Sequence, residues 1–280
     1  MPAVIPYEYK YLRAKKRFPH VWCPGCGIGI VMGSIIRSVH AMQWDLDDIV
    51  MVSGIGCTSR MPVYVDFNTL HTTHGRSLAF GTGVKMANPS LNVMAVMGDG
   101  DALAIGGNHI IHAARRNIDI TAIIVNNNNY GMTGGQFSPT TPPGARTATT
   151  PYGMIEPGFD VCKLMEGAGA TFVARGTVYH VTELDNLLLK AFRKNGFSVV
   201  EVLAPCPTNF GRANRQGGPV EMMKLLKDNT INISQLKALK EGQADDKIVR
   251  GIFVDRDVPS YDERYRALCV KAKKEAEAEK

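Results

Sequence analysis

The chain has 280 residues, 45% of them hydrophobic and 21% charged. That is enough apolar material for a core, so wholesale disorder is excluded. Lys and Arg number 32 against 26 Asp and Glu, and a net charge of +6 is too thin to mark a nucleic-acid binder.

Met1 to Phe18 lacks the apolar centre of a signal peptide and carries Lys10, Arg13, Lys15, Lys16 and Arg17, which reads as a solvated basic arm. No apolar stretch reaches the roughly 18 residues of a membrane span. The expected setting is cytoplasmic, where six cysteines argue against a disulfide framework and for metal binding or redox chemistry.

Residues 27–40 repeat apolar side chains at helical spacing, and 49–53 form a short β-branched strand ending at glycine. A helix over 78–87 stops at Asn88-Pro89, a strand follows over 91–97, a helix over 102–116 and a strand over 118–125. Residues 126–157 form a long polar loop rich in Gly, Pro and Thr, and loops of that length in a compact domain are usually functional. Helix 160–167, strand 170–174, helix 181–195 and strand 197–203 complete the body. Apolar strands alternating with helices predict an α/β fold, a parallel sheet flanked by helices, with ligands at the carboxyl ends of the strands. Beyond Gly217-Gly218-Pro219 the composition changes: residues 221–280 hold 25 of the 58 charged residues, in near-equal signs, and read as a charged helical C-terminal extension.

Two motifs carry chemistry. Gly98-Asp99-Gly100-Asp101 follows one strand, and Asn126-Asn127-Asn128-Asn129-Tyr130-Gly131 follows the next. The glycines allow close approach of backbone to a ligand, and N–H groups at the helix start favour phosphate. Asp99, the Asn127 amide and a carbonyl two residues later offer three hard oxygens for an octahedral Mg²⁺ shared with a diphosphate. A nicotinamide-type glycine turn needs G-x-G-x-x-G, which Gly98 does not start. The second motif is Cys23-Pro-Gly-Cys26, joined by Cys57 and Cys206, each single cysteine at a strand end beside Gly or Pro. Four such thiolates suit a [4Fe–4S] cluster, with zinc or a redox dithiol as alternatives. His109 and His112 share a helix face but lack a third ligand, Cys162 reads as a core residue and Cys269 as a tail residue.

The first motif resembles the thiamine diphosphate enzymes, and its continuation Tyr130-Gly-Met-Thr-Gly-Gly-Gln136 extends the likeness. Together the two motifs resemble the β subunits of 2-oxoacid:ferredoxin oxidoreductases over roughly residues 20–215, in details most like the 2-oxoglutarate members. The resemblance implies a pyrophosphate-type thiamine diphosphate- and iron–sulfur-binding domain over 1–218 and an extension over 219–280. It implies Mg²⁺ held by the Asp99 and Asn127 side chains and the Asn129 carbonyl, and a cluster on Cys23, Cys26, Cys57 and Cys206. Gly56, Cys57, His74, Gly98, Gly100, Asp101, Tyr130, Gly131, Met132 and Thr133 would line the cofactor. Arg60 would meet the substrate carboxylate, Met132 would pack beside the thiazolium, and His74 and Arg76 are further anion contacts. The implied reaction is CoA-dependent oxidative decarboxylation of 2-oxoglutarate with reduction of an external ferredoxin, reversible in principle. Pyruvate or broad 2-oxoacid specificity, or a non-catalytic electron-transfer subunit, are the rivals. No ferredoxin-type cysteine run and no glutamate for the aminopyrimidine are evident. An α subunit would supply that acid, in an α2β2 assembly without nucleic-acid or membrane partners.

Overall fold

The computed structural model describes residues 6–15, 18–236 and 246–278. Lys16 and Arg17 of the basic arm lie outside the described residues, as do 237–245 of the charged extension.

The chain builds one eight-stranded sheet. Its strands are β1 (Ile49–Ser53), β2 (Asn68–His71), β3 (Asn92–Gly98), β4 (Thr121–Asn126), β7 (Phe172–Thr177), β8 (Ser198–Leu203), β9 (Thr230–Asn232) and β10 (Ile248–Asp255), in the order β2-β1-β3-β4-β8-β7-β10-β9. The two remaining strands, β5 (Asn129–Tyr130) and β6 (Gln136–Phe137), form a small hairpin inside the long loop. The pairings from β2 through β7 are parallel, as expected from strands that read as continuous apolar runs. β10 lies antiparallel to β7.

Helices α1 (Ile28–Met42) and α5 (Val181–Arg193) cover one face, and their Ile35, Val39, Leu184 and Leu188 pack on Met51, Met94 and Ile123 of the sheet. Helices α2 (Ser77–Ala87), α3 (Gly107–Arg116) and α4 (Val161–Gly167) cover the other, meeting Val50, Val93 and Ile124. Neighbouring strand residues thus feed opposite cores, the period-two consequence of the pleat.

Three elements differ from the sequence expectation. The helix expected to run from 102 opens with a wider turn at Asp101–Ile105, and α3 proper begins at Gly107. β2 is additional: its Asn-Thr-Leu-His sequence has no apolar run, because this edge strand is only partly buried. The segment beyond 218 is helical at α6 (Pro219–Asp228), α7 (Ile233–Leu236) and α8 (Tyr261–Ala278), but it also supplies β9 and β10. The apolar Ile252 and Val254 of β10 pair with Ala174 and Val173 of β7, so this part of the charged segment is built into the sheet.

Strand order reverses between β1, whose successor β2 lies to one side, and β3, which lies to the other. Such a switch leaves a crevice at the carboxyl ends of the two strands.

Candidate functional site

Four adjacent strands deliver candidate site residues to that crevice. Cys57 follows β1, Asp99 follows β3, Asn127 and Asn129 follow β4, and Cys206 follows β8. Cys23 and Cys26 arrive from the other direction, in the turn that enters α1.

A cavity of about 150 Å³ at the crevice is lined by Gly56, Cys57, His74, Gly98, Asp99 and Gly100, by Asp101, Asn127, Asn129 and Tyr130, and by Gly131, Met132 and Thr133. Ile55 and Thr58 complete the lining. Gly100 is required there: a Cβ at this position would collide with the Tyr130 ring, whose hydroxyl donates to the Gly100 carbonyl at 3.1 Å.

The polar atoms of this cavity divide into engaged and unengaged sets. Asp99 is 2% exposed, and its Oδ2 accepts from the Ser138 and Thr140 hydroxyls, each at 2.7 Å. Burial pushes its carboxyl up to about 6, against the lowering effect of those two hydroxyls. Asn127 is also buried, and its Oδ1 has no hydrogen-bond partner among the described residues. A buried carboxylate without a cation and a buried amide oxygen without a donor, both lining one cavity, suit a hard divalent cation. The Asn129 side chain donates to the Asn127 carbonyl at 2.8 Å, and its Oδ1 lies 3.8 Å from Cys206 Sγ.

Asp101 ties two loops together. Its Oδ1 meets His74 Nδ1 at 2.6 Å and accepts the N–H groups of Gly75 at 2.7 Å and Ile55 at 3.3 Å. Burial raises its carboxyl above the usual range, partly offset by these donors. Arg76 is absent from the cavity lining: its guanidinium donates to the Ile105 carbonyl at 2.7 Å on the exposed side.

A second cavity of about 210 Å³ adjoins the first. Cys23, Cys26, Cys57 and Cys206 all line it, with Arg60 and Trp22. Burial pushes the Cys26 thiol up to about 12, and Cys206, Cys57 and Cys23 add to the rise. Cys57 is pushed up to about 11, again by burial first and then by Cys206 and Cys23. Cys206, Cys57 and Cys23 are thus near enough to Cys26 to oppose its ionisation, and all four line one cavity. Among the described residues no three His, Cys, Asp or Glu side chains are placed to hold a metal ion. Cys57, Asn127, Gly131 and Met132 belong to the walls of both cavities. The indole N–H of Trp22 donates to the Cys57 carbonyl at 2.7 Å and anchors this partition.

The chain is similar to known proteins over most of its length. The family described as "Thiamine pyrophosphate enzyme, C-terminal TPP binding domain" matches residues 54–202. The 2-oxoglutarate synthase subunit KorB of Methanothermobacter marburgensis is 51% identical over 259 residues, 92% of this chain and 90% of that protein. Its namesake in Methanocaldococcus jannaschii is 48% identical, covering 95% of this chain and 98% of that one. The chain belongs to the β subunits of the 2-oxoacid:ferredoxin oxidoreductases. A solved 2-oxoglutarate:ferredoxin oxidoreductase from Magnetococcus marinus, with 2-oxoglutarate, coenzyme A and succinyl-CoA bound, superposes with a TM-score of 0.84. It is 29% identical, and the match covers 95% of this β subunit and 90% of that chain.

Sequence reasoning missed the second layer of this β subunit's site. Ser138 and Thr140 hold Asp99 from the long loop, and Asn126 bonds Glu201 in β8. The hydroxyl-rich run Ser138-Pro-Thr-Thr141 was a usable signal. Arg115 donates to His112 at 3.4 Å, and among the described residues no third ligand joins His109 and His112. Cys162 is buried and Cys269 exposed on α8, as expected.

Proposed function

We propose that this β subunit, paired with an α subunit, catalyses the CoA-dependent oxidative decarboxylation of 2-oxoglutarate to succinyl-CoA with reduction of ferredoxin. The reaction is reversible given a low-potential donor. The observation that carries this reading is the pair of adjoining cavities with Cys57, Asn127, Gly131 and Met132 in common. Relatives at about half identity named for 2-oxoglutarate, and the 2-oxoglutarate-bound Magnetococcus enzyme, support the substrate.

Asp99 and Asn127 would hold Mg²⁺ by side-chain oxygens and Asn129 by its carbonyl, with the diphosphate lying against the glycines at 98 and 100. Cys23, Cys26, Cys57 and Cys206 would hold a [4Fe–4S] cluster. Bound thiamine diphosphate supplies an electron sink for decarboxylation, and the cluster supplies one-electron acceptance. Asp101 sets the orientation of His74 at the cavity wall. Arg60, exposed and lining the thiol cavity, offers a planar cation for the distal carboxylate of the substrate. Met132, half exposed, offers an apolar surface that a partner subunit can close over.

The test is co-expression with the α subunit and anaerobic purification. CoA-dependent reduction of ferredoxin with 2-oxoglutarate, exceeding that with pyruvate or branched 2-oxoacids, is the expected result. About four iron and four sulfide per αβ pair should accompany it, provided the α chain adds no cluster. Cys206→Ala should remove the iron, and Asp99→Ala the thiamine diphosphate. Iron present without thiamine diphosphate binding would leave only an electron-transfer subunit, and the reading would fail.

A further inference from the structure

Behind Asp99 and the asparagine loop lies a buried ionic pair that the reaction does not call for. Glu201 and Arg175 are register partners in the adjacent parallel strands β8 and β7, 2% and 7% exposed. Arg175 Nε donates to Glu201 Oε2 at 2.5 Å, while its other nitrogens donate to Asp160 Oδ1 at 2.6 Å and to the Val249 carbonyl of β10 at 3.1 Å. Burying such a pair in a sheet is costly unless geometry and further hydrogen bonds compensate, so a role beyond stability is worth seeking.

The remaining carboxylate oxygen gives the direction. Glu201 Oε1 accepts from Asn126 Nδ2 at 2.7 Å. A carboxylate can only accept, so the Asn126 amide has one orientation: NH₂ toward Glu201, carbonyl oxygen away from it. That oxygen serves both halves of the candidate Mg²⁺ site. It accepts the N–H of Asn128 at 3.1 Å, closing a turn in which Asn128 takes a left-handed φ of 61° between Asn127 and Asn129. The Thr140 hydroxyl has one proton and two acceptors, this oxygen at 2.9 Å and Asp99 Oδ2 at 2.7 Å, so the placing of the amide oxygen governs how firmly Thr140 holds Asp99.

We propose that the Arg175–Glu201 pair is a positioning device for the Mg²⁺–diphosphate site, acting by fixing the Asn126 amide, which sets the Asn127–Asn129 loop and, through Thr140, Asp99. Asn126, Glu201 and Thr140 are positioning residues, since they act on the ligands and not on substrate or cofactor. The inference rests on the proposed function, because it presupposes that Asp99 and Asn127 bind the metal. Outer-layer partners of metal ligands commonly tune affinity by about 10–100-fold.

The test uses the αβ complex, stripped of its divalent metal and thiamine diphosphate, and reads Mn²⁺ binding by electron paramagnetic resonance in the presence of added thiamine diphosphate. Glu201→Gln lets the amide reorient, and Thr140→Val removes the hydroxyl while keeping its shape. Each should weaken Mn²⁺ about tenfold or more while cluster iron content stays at the wild-type level, and Thr140→Ser should restore wild-type affinity. If Glu201→Gln fails to fold, Asn126→Ala, which removes the amide that the pair orients and leaves the Thr140–Asp99 contact in place, is read instead and should weaken Mn²⁺ by a similar factor; wild-type affinity in it overturns the proposal. Wild-type Mn²⁺ affinity in Thr140→Val, or a loss that Thr140→Ser does not restore, overturns the proposal. Asp99→Ala in the same titration separates the two readings: if it binds Mn²⁺ like wild type, the site assignment itself fails. If only Asp99→Ala loses affinity, the positioning role fails alone.

Discussion

Asp160 caps α4, accepting the N–H groups of Cys162 and Lys163, and accepts from Arg175 at 2.6 Å. Burial pushes its carboxyl up, but the nearby guanidinium and the hydrogen bonds outweigh this and hold it below the usual range. A depressed folded-state value means stability that is present above the unfolded value and lost as pH falls through the folded one. Asp160→Asn keeps a competent cap. The stability gap between wild type and this variant, read by urea unfolding, should be full at pH 7 and close as the pH drops below the unfolded value of 3.8. Gly100→Ala tests a different residue-scale constraint. The added methyl meets the Tyr130 ring, an overpacking that costs roughly 1–3 kcal/mol. The αβ complex should then purify with less thiamine diphosphate and unchanged iron. The residues of the site were legible where the signal is local: Gly-Asp-Gly and the asparagine run announce tight turns with hard oxygens. Glu201 and Arg175 carry a subtler signal, opposite charges in the middle of two buried strands, and only the register of β7 and β8 makes them partners.

At the scale of elements, Asn117 joins parts of the chain far apart in sequence. It ends α3 with a left-handed φ of 57°, and its Oδ1 accepts from Phe197 N at 2.7 Å and Thr171 Oγ1 at 3.2 Å. Its Nδ2 donates to the Val258 and Pro259 carbonyls that lead into α8. Asn117→Ala strands these groups and puts a Cβ residue without a compensating side chain in the left-handed region. It should cost about 2–4 kcal/mol in urea unfolding. The main strands and helices of the body were readable because each carries a clear period. β2 was not, because an edge strand needs apolar residues on fewer sides. β10 was hidden by composition: the dense charge around it suggests a solvated helix, while pairing with β7 decides otherwise.

For the whole molecule, this makes the C-terminal region two things at once. β10 extends the sheet between β7 and β9 and receives a hydrogen bond from Arg175, whereas the second half of α8 is exposed throughout. Removing residues 270–280 should leave Tm within about 2 °C of wild type. Removing residues 246–280 uncovers the β7 edge and should lower Tm by roughly 10 °C or more, equivalent to on the order of 3 kcal/mol. No helix among the described residues is long and apolar enough to cross a membrane.

The parallel direction of β1, β3, β4 and β8 also has an electrostatic corollary. Helices packed on such a sheet run back against the strands, so α1, α2, α3 and α5 all begin at the end where the two cavities open. Each helix start carries a partial positive charge of about half a unit from its aligned peptide dipoles. Diphosphate, 2-oxoacid and coenzyme A are all anions, which helix starts favour. Attraction of that kind belongs to strand direction and not to a residue, so no point substitution removes it. Thiamine diphosphate binding should weaken with added KCl by a similar factor in wild type and in Arg60→Ala, a screening that salt imposes on the fold itself.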